Sequence, residues 1–270
     1  MTVDHEGVAA VEFLPVDLGP GVLAGYTTRA GGCSVGDRAG LDLAQHVGDD
    51  PDLVVGNRRL LAARIGRPVV FARQVHGVRT AVVLSDGPDA VHRPGGAVVG
   101  DPCRDDLGEA DGGYDALVTG SVGIPLGVLV ADCVPVLLAD ARAGVVATAH
   151  AGRPGLLAGI LAGVIAAMRS AGAHPDRVRA ALGPAAGPCC YEVPLAMQDD
   201  ACAVLPQTRA ATTWGTPSLD LRAGCRAALG AEGVHDVQLV GGCTVEDDRF
   251  YSYRRSPVTG RFAGVVKMGE

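Results

Sequence analysis

The sequence predicts a mixed α/β fold built in layers, and three observations carry that prediction. Many short apolar runs read as strands, whereas only a few segments read as helices. The two kinds do not alternate regularly, which argues against a doubly wound parallel sheet. Aromatic residues make up only 4% of the chain, while Gly (39) and Pro (17) are plentiful, so the core must rest on Ala, Val and Leu carried by short elements with many turns.

In chain order the strand-like runs are "VAAVEFL", "GVLAGYTT", "PVVFA", "TAVVL", "DALVT", "PLGVLVA", "VPVLLAD", "GVVATAH", "RVRAALGP", "DVQLVGG" and "RFAGVVKM". Each is short, rich in Val and Leu, and bounded by Gly, Pro or Asp, the punctuation expected of strands. The first helix is expected over "PDLVVGNRRLLAARI": Asp50 offers a capping oxygen, Pro51 suits the first turn, and Gly66 ends it. Three more helices are expected over about 155–171, 194–205 and 218–230. The apolar segment "PGLLAGILAGVIAAM" is too short to span a bilayer and reads as a core helix. Ser85 to Gly113 is dense in Gly, Pro and Asp, which marks a long surface loop. No linker or repeat interrupts the chain, so residues 1–270 are expected to form one domain.

Charge and cysteine usage exclude several classes. A net charge of −7 argues against a broad nucleic-acid surface, which needs clustered positive charge. The N-terminal stretch carries acidic residues where a secretory signal would be basic, so the expected location is the cytoplasm. The eight cysteines are then expected to be reduced rather than bridged, and no pair has CxxC spacing.

Chemistry is expected where apolar runs end on reactive residues. "GVLVA" runs into Asp132-Cys133, "GVVATA" ends on His150, and His76 sits at the turn "RQVHG". Strands of one sheet can bring such ends to one rim. Two imidazoles and a thiolate would give a metal three protein ligands and leave one position open, as catalytic zinc requires. The alternative, a buried thiol beside two hydrogen-bonded histidines, stays open on spacing alone. The loop "GPAAGPCCYEV" offers Glu192 as an acid or base. The tail "FYSYRRSPVTGR" gathers Tyr251, Tyr253, Arg254, Arg255 and Arg261, where arginines could hold a phosphate and a tyrosine could stack on a base. Arg58, mid-helix in "GNRRLL", is a further candidate cation. There is no HExxH, GxSxG or Walker A motif, and the adjacent cysteines of "GPCCYEV" do not match the zinc deaminase spacing.

Together, "YTTRAGGCS", "DLAQHVGDD", "NRRLL", "RQVHG", "DALVT", "ADCVPVLLAD", "AHAG", "GPAAGPCCYEV" and "FYSYRRSPVTGR" resemble, in order, the YlmD/YfiH group over about residues 20–265. That group carries the labels multicopper polyphenol oxidase (laccase domain) and purine nucleoside phosphorylase. The resemblance implies a four-layered α/β/β/α sandwich with mixed sheets and a zinc site made by His76, Cys133 and His150, which would also be the catalytic residues. It implies phosphorolysis of purine nucleosides, methylthioadenosine included, with phosphate as co-substrate, and hydrolytic deamination of adenosine. For deamination a zinc ion would acidify water for attack on C6 of adenine. Arg58, Glu192, Arg254 and Arg255 are the substrate-binding candidates.

Two departures stand out. The group usually reads "AHAGWRG" where this chain has Arg153-Pro154, and it commonly has Asn where this chain has Asp42. Copper is an alternative metal at the same ligands. Counting argues against four-copper laccase chemistry, because it needs about ten His ligands, largely in HxH pairs, and this chain has seven histidines and no such pair. Two further readings remain: a Cys133–His150 amidase editing peptidoglycan precursors, and a non-enzymatic binding module stabilised by zinc.

Overall fold

The computed structural model describes residues 10–87, 90–92, 103, 106 and 112–269. In chain order the elements begin with β1 (Phe13–Pro15), β2 (Val22–Thr27), α1 (Pro51–Ile65), β3 (Thr80–Val82), β4 (Leu84–Gly87) and β5 (Ala90–His92). The centre of the chain supplies β6 (Ala116–Thr119), β7 (Leu126–Val130), β8 (Val134–Asp140), β9 (Val145–Ala151), α2 (Arg153–Leu157) and α3 (Ile160–Ser170). The last third adds β10 (Arg179–Leu182), α4 (Leu195–Val204), β11 (Arg209–Ala211), β12 (Pro217–Leu219), α5 (Leu221–Ala231), β13 (Asp236–Leu239) and β14 (Phe262–Met268).

Two sheets form the centre. One is antiparallel with strand order β1-β2-β14-β7. The other has order β13-β10-β8-β9-β6-β3 and is mixed, with parallel pairs at both edges around an antiparallel middle. The two-residue alternation of side chains feeds a different core on each face. On β8, Val134, Val136 and Leu138 face α2, α3 and α5, while Leu137 and Ala139 face the other sheet. On β7 and β14, Val128, Val130, Phe262 and Val266 point between the sheets. Their neighbours Leu129, Ala263 and Val265 pack under Leu61 and Ile65 of α1. Three cores therefore separate four layers, helix, sheet, sheet, helix, in the α/β/β/α order that the resemblance implied. β8 and β9 are buried along their whole length, which is why both read as nearly unbroken apolar runs.

Several local expectations needed correction. Within "PVVFA", Val70 makes an isolated bridge with Leu126 instead of an extended strand, although its alternate side chains enter two different cores. The helix expected over 155–171 breaks at Gly159, whose φ of +94° ends α2 before α3 begins. Part of the expected surface loop 85–113 pairs as the β4–β5 hairpin, and Cys103 within it is buried. Positions 88–89, 93–102, 104–105 and 107–111 of that stretch lie outside the described residues. Among the described residues no helix is long and apolar enough to cross a membrane.

Candidate metal centre and its cavity

The site begins with strand register. β8 and β9 pair antiparallel with Pro135 opposite His150 and Val134 opposite Ala151. Cys133, one residue before β8, shares the face of Pro135, so its thiol and the His150 ring both open toward the layer between the sheets. His76 arrives from the segment after the Val70 bridge, in a left-handed conformation with φ of +59°. Its Nε2 lies 3.7 Å from Cys133 Sγ, and its ring meets that of His150 edge-on at 4.6 Å.

Asp115 organises both histidines. Its carboxylate accepts the backbone N–H groups of Val75 (3.2 Å), His76 (2.9 Å) and Gly77 (2.7 Å). The same carboxylate lies 2.8 Å from His150 Nδ1. An Nδ1–H donated there leaves His150 Nε2 free to face Cys133 and His76, the tautomer a metal ligand needs. The turn that aims Cys133 is held as firmly. Asp132 has φ of +88°, a conformation that costs a non-glycine residue of order 1–3 kcal/mol. Thr244 Oγ1 (2.6 Å) and the Arg254 N–H (2.7 Å) donate to its carboxylate, and the Ala186 N–H donates to its carbonyl (2.9 Å).

The three donor atoms of His76, Cys133 and His150 lie within 4.8 Å of one another. Tetrahedral zinc with ordinary bond lengths sets a sulfur and a nitrogen ligand about 3.5 Å apart, so the 3.7 Å pair is at ligand spacing. No side chain could occupy the turn behind them: a Cβ on Gly152 would stand 2.7 Å from His76 Cδ2 and 3.1 Å from Cys133 Sγ. The donor set and its spacing fit a borderline-soft divalent cation. Burial resists ionisation of Cys133, yet the His150 charge and hydrogen bonds from both imidazoles bring the thiol down to about 6. Burial also opposes charge on His150, but Cys133 and Asp115 outweigh it and raise the imidazole to about 9.

The cluster forms one wall of a cavity of about 350 Å³, at the small end of the range for small-molecule sites. Tyr191, Tyr253, Arg254, Arg261, His46 and Gln74 also line it. Arg254 lies over the Tyr191 ring, 4.4 Å from its centroid, and donates from Nη1 to the Glu192 carbonyl (2.7 Å). Gln74 is fixed by a reciprocal pair of hydrogen bonds with the Leu129 backbone at 2.7 and 2.8 Å. Burial lowers the His46 imidazole, and the charges of Arg261, Arg58 and Arg73 lower it further, whereas Asp106 opposes them.

The other candidates from the sequence are placed elsewhere. Arg58 is 2% exposed. Its Nε donates to the Leu43 carbonyl, and Nη1 lies 2.8 Å from Asp106 Oδ1, close enough for an ion pair but out of hydrogen-bond alignment. It is absent from the cavity lining, and its contacts in the structure are internal. Arg255 turns its guanidinium onto the carbonyls of Thr244 and Phe250, and the Glu192 carboxylate accepts from Trp214 Nε1 at 3.0 Å. Neither lines the cavity, so of the four substrate-binding candidates only Arg254 does. Sequence reasoning assigned no role to Asp115, His46 or Gln74. A signal for Asp115 existed, since it opens the apolar run "DALVT" just as Cys133 and His150 close theirs. At the Arg153-Pro154 departure, Pro154 falls in the first turn of α2, where a missing N–H costs nothing. Arg153 approaches Tyr191 and lowers its phenol, although burial keeps it raised.

A family model described as multi-copper polyphenol oxidoreductase laccase matches residues 23–269. A Streptomyces coelicolor protein named purine nucleoside phosphorylase is 45% identical over 245 residues, covering 90% of this chain and 93% of its own. A Corynebacterium glutamicum protein of the same name is 45% identical over 244 residues, covering 89% and 92%. Among solved structures, YlmD from Geobacillus stearothermophilus superposes with a TM-score of 0.78 at 32% identity, covering 93% of each chain. A Neisseria meningitidis protein superposes with a TM-score of 0.78 at 33% identity, covering 96% of this chain and 99% of the other.

Proposed function

The chain belongs to the multi-copper polyphenol oxidoreductase laccase family, and from that premise we propose that it is a zinc-dependent purine nucleoside phosphorylase that also deaminates adenosine. The observation that carries the reading is convergence: a three-donor metal cluster, two arginines and two tyrosines line one cavity. The name shared by its curated relatives supports the substrate class.

His76, Cys133 and His150 would hold the metal, zinc in this reading, with copper as an alternative occupant. When bound, the ion supplies Lewis-acid polarisation at the open side of the cluster. The remaining chemistry falls to the chain. In phosphorolysis a phosphate oxygen bonds to the ribose C1′ as the C1′–N9 bond breaks, and the purine leaves with the electron pair. Arg254 and Arg261 supply the positive charge that positions the phosphate. Tyr191 and Tyr253 offer aromatic faces to the base, with Tyr191 held by the guanidinium of Arg254. Asp115 keeps both imidazoles in place. Methylthioadenosine differs from adenosine only beyond the ribose ring and falls within the same substrate class.

Product analysis of adenosine incubated with the zinc-loaded protein, with and without phosphate, tests this reading. Adenine and ribose 1-phosphate only in the presence of phosphate establish phosphorolysis, and inosine in either tube establishes deamination. Neither product from fully loaded protein would sink the proposal. One observation favours a second reading: Asp115, His150 and Cys133 stand in the order of an orienting acid, a base and a thiol nucleophile. That amidase would act on peptidoglycan precursors after chelation and be inhibited by zinc, the opposite metal dependence.

A further inference from the structure

We propose that the protein carries a second metal site, a closed zinc site formed by Cys189, Cys190, Cys243 and Glu246. Their donor atoms lie within 4.8 Å of one another, and none belongs to the first cluster. The inference does not depend on the enzymatic reading above.

Two loops build it. Cys189 and Cys190 follow Gly187-Pro188 in a tight turn closed by the N–H groups of Cys190 and Tyr191 on the Gly187 carbonyl, at 3.0 and 2.9 Å. Cys243 and Glu246 lie after β13 in a turn where the N–H groups of Glu246 and Asp247 donate to the Cys243 carbonyl, at 3.2 and 3.0 Å. That turn brings Glu246 back over Cys243. A bridge between Ala185 and Cys243 joins the two loops.

One of the sulfur atoms already accepts a backbone hydrogen bond. The Gly187 N–H donates to Cys243 Sγ at 3.2 Å, and hydrogen bonds strengthen when the acceptor is ionised. A Cβ on Gly187 would be tightly placed, 3.1 Å from Cys189 Sγ and 3.2 Å from Cys243 Cβ. Cys189 Sγ lies 3.4 Å from Glu246 Oε2. Binding a cation there would displace the thiol protons, so the three sulfurs would coordinate as thiolates. Three sulfurs and one carboxylate oxygen complete a tetrahedral shell and leave no open position, the pattern of a structural zinc site. The adjacent cysteines and the partners contributed more than fifty residues later lack CxxC spacing, so a motif search passes over them.

The site would stiffen the first cavity. Tyr191, which lines that cavity, follows Cys190 directly. Thr244, which follows Cys243, holds the Asp132 turn through its hydroxyl. An ion joining the two loops would fix that wall.

The test is zinc stoichiometry on protein purified under reducing conditions, paired with cobalt(II) substitution read by its thiolate charge-transfer absorbance. Wild type should hold two zinc ions per chain, and Cys133→Ser and Cys243→Ser should each hold about one. Cobalt in Cys133→Ser should keep most of the charge-transfer intensity, which reports three remaining thiolates. Glu246→Gln, an exposed change that spares folding, should weaken the second ion's affinity about tenfold or more. The proposal is overturned if Cys133→Ser holds no zinc, or if Cys243→Ser or Glu246→Gln binds as wild type does. A mass and thiol titration showing two of these cysteines joined as a disulfide under reducing conditions would overturn it as well.

Discussion

Asp42 gives the most quantitative prediction. Its side chain is fully buried. Oδ1 accepts from the N–H groups of Ala44 (3.1 Å) and Arg261 (2.8 Å), while Oδ2 has no partner among the described residues. Burial, reinforced by the carboxylate of Asp49, outweighs those two bonds and raises the Asp42 carboxyl from 3.8 to about 6. A raised acid is bound more tightly by protons in the folded state. Its contribution to stability is therefore complete below the unfolded value near pH 4 and is lost as pH rises through about 6. Each tenfold change in proton affinity between the folded and unfolded chain corresponds to about 1.4 kcal/mol, so ionised Asp42 costs the native state up to about 3 kcal/mol at neutral pH.

Asp42→Asn should remove that cost. The amide oxygen keeps both backbone bonds, and the amide N–H₂ can donate toward Asp49 in place of the unpartnered oxygen. With allowance for solvent penetration the expected gain is about 1–3 kcal/mol above pH 7. For a chain of this size that raises the melting temperature by roughly 2–5 °C. Urea titrations of both proteins at pH 7.5 and pH 4.5 provide the assay. The midpoint gap should be wide at pH 7.5 and largely closed at pH 4.5, with unchanged slopes. An equal gap at both pH values would place the effect in packing rather than ionisation, and no gap at pH 7.5 would refute the argument.

Three further outcomes follow from the site. Asp115→Asn removes the charge that orients His150 and the 75–77 backbone; zinc affinity by competitive chelator titration should fall about 10–100-fold, and an unchanged affinity would remove Asp115 from the site. Arg254→Ala should raise the KM for phosphate by about tenfold or more while zinc content stays constant; a fall in kcat alone would argue against a phosphate role. Arg58→Ala leaves the Asp106 carboxylate unpaired and should cost about 3–5 kcal/mol in urea unfolding, with the KM for phosphate unchanged; a raised KM with unaltered stability would restore Arg58 to the site.

Legibility in the sequence tracked burial. β8 and β9 could be read because both faces of each strand are covered, which writes an unbroken apolar run. Their reactive tips stood out because Cys133 and His150 break such runs. "PVVFA" carried the same apolar signal without the pairing, since periodicity reports burial and not ladder hydrogen bonds. The break at Gly159 was hidden inside "LLAGILAGVI", where the small residues keep a helical pattern on both sides. The fate of Arg58 could not be read from its helix: its charge partner, Asp106, comes from a low-complexity stretch far along the chain. Asp115 was visible as a residue but not as a role, because it acts on backbone from 75–77 and a ring at 150, which only the fold brings together.

Backbone conformation shows how these pieces become a site. Among the described residues, His76 and Asp132 are the non-glycine positions with positive φ. One is a metal-ligand candidate and the other directly precedes one. Each conformation costs of order 1–3 kcal/mol, and each has its own restraint in the fold. Asp115 captures the N–H groups around His76, and Thr244 with Arg254 captures the Asp132 carboxylate. Those hydrogen bonds offset the strain, and they hold His76, Cys133 and His150 with their donor atoms within 4.8 Å of one another. Metal affinity and loop stability should then depend on the same carboxylates. That coupling explains why Asp115, which contributes no donor atom, is expected to matter nearly as much as the ligands it holds.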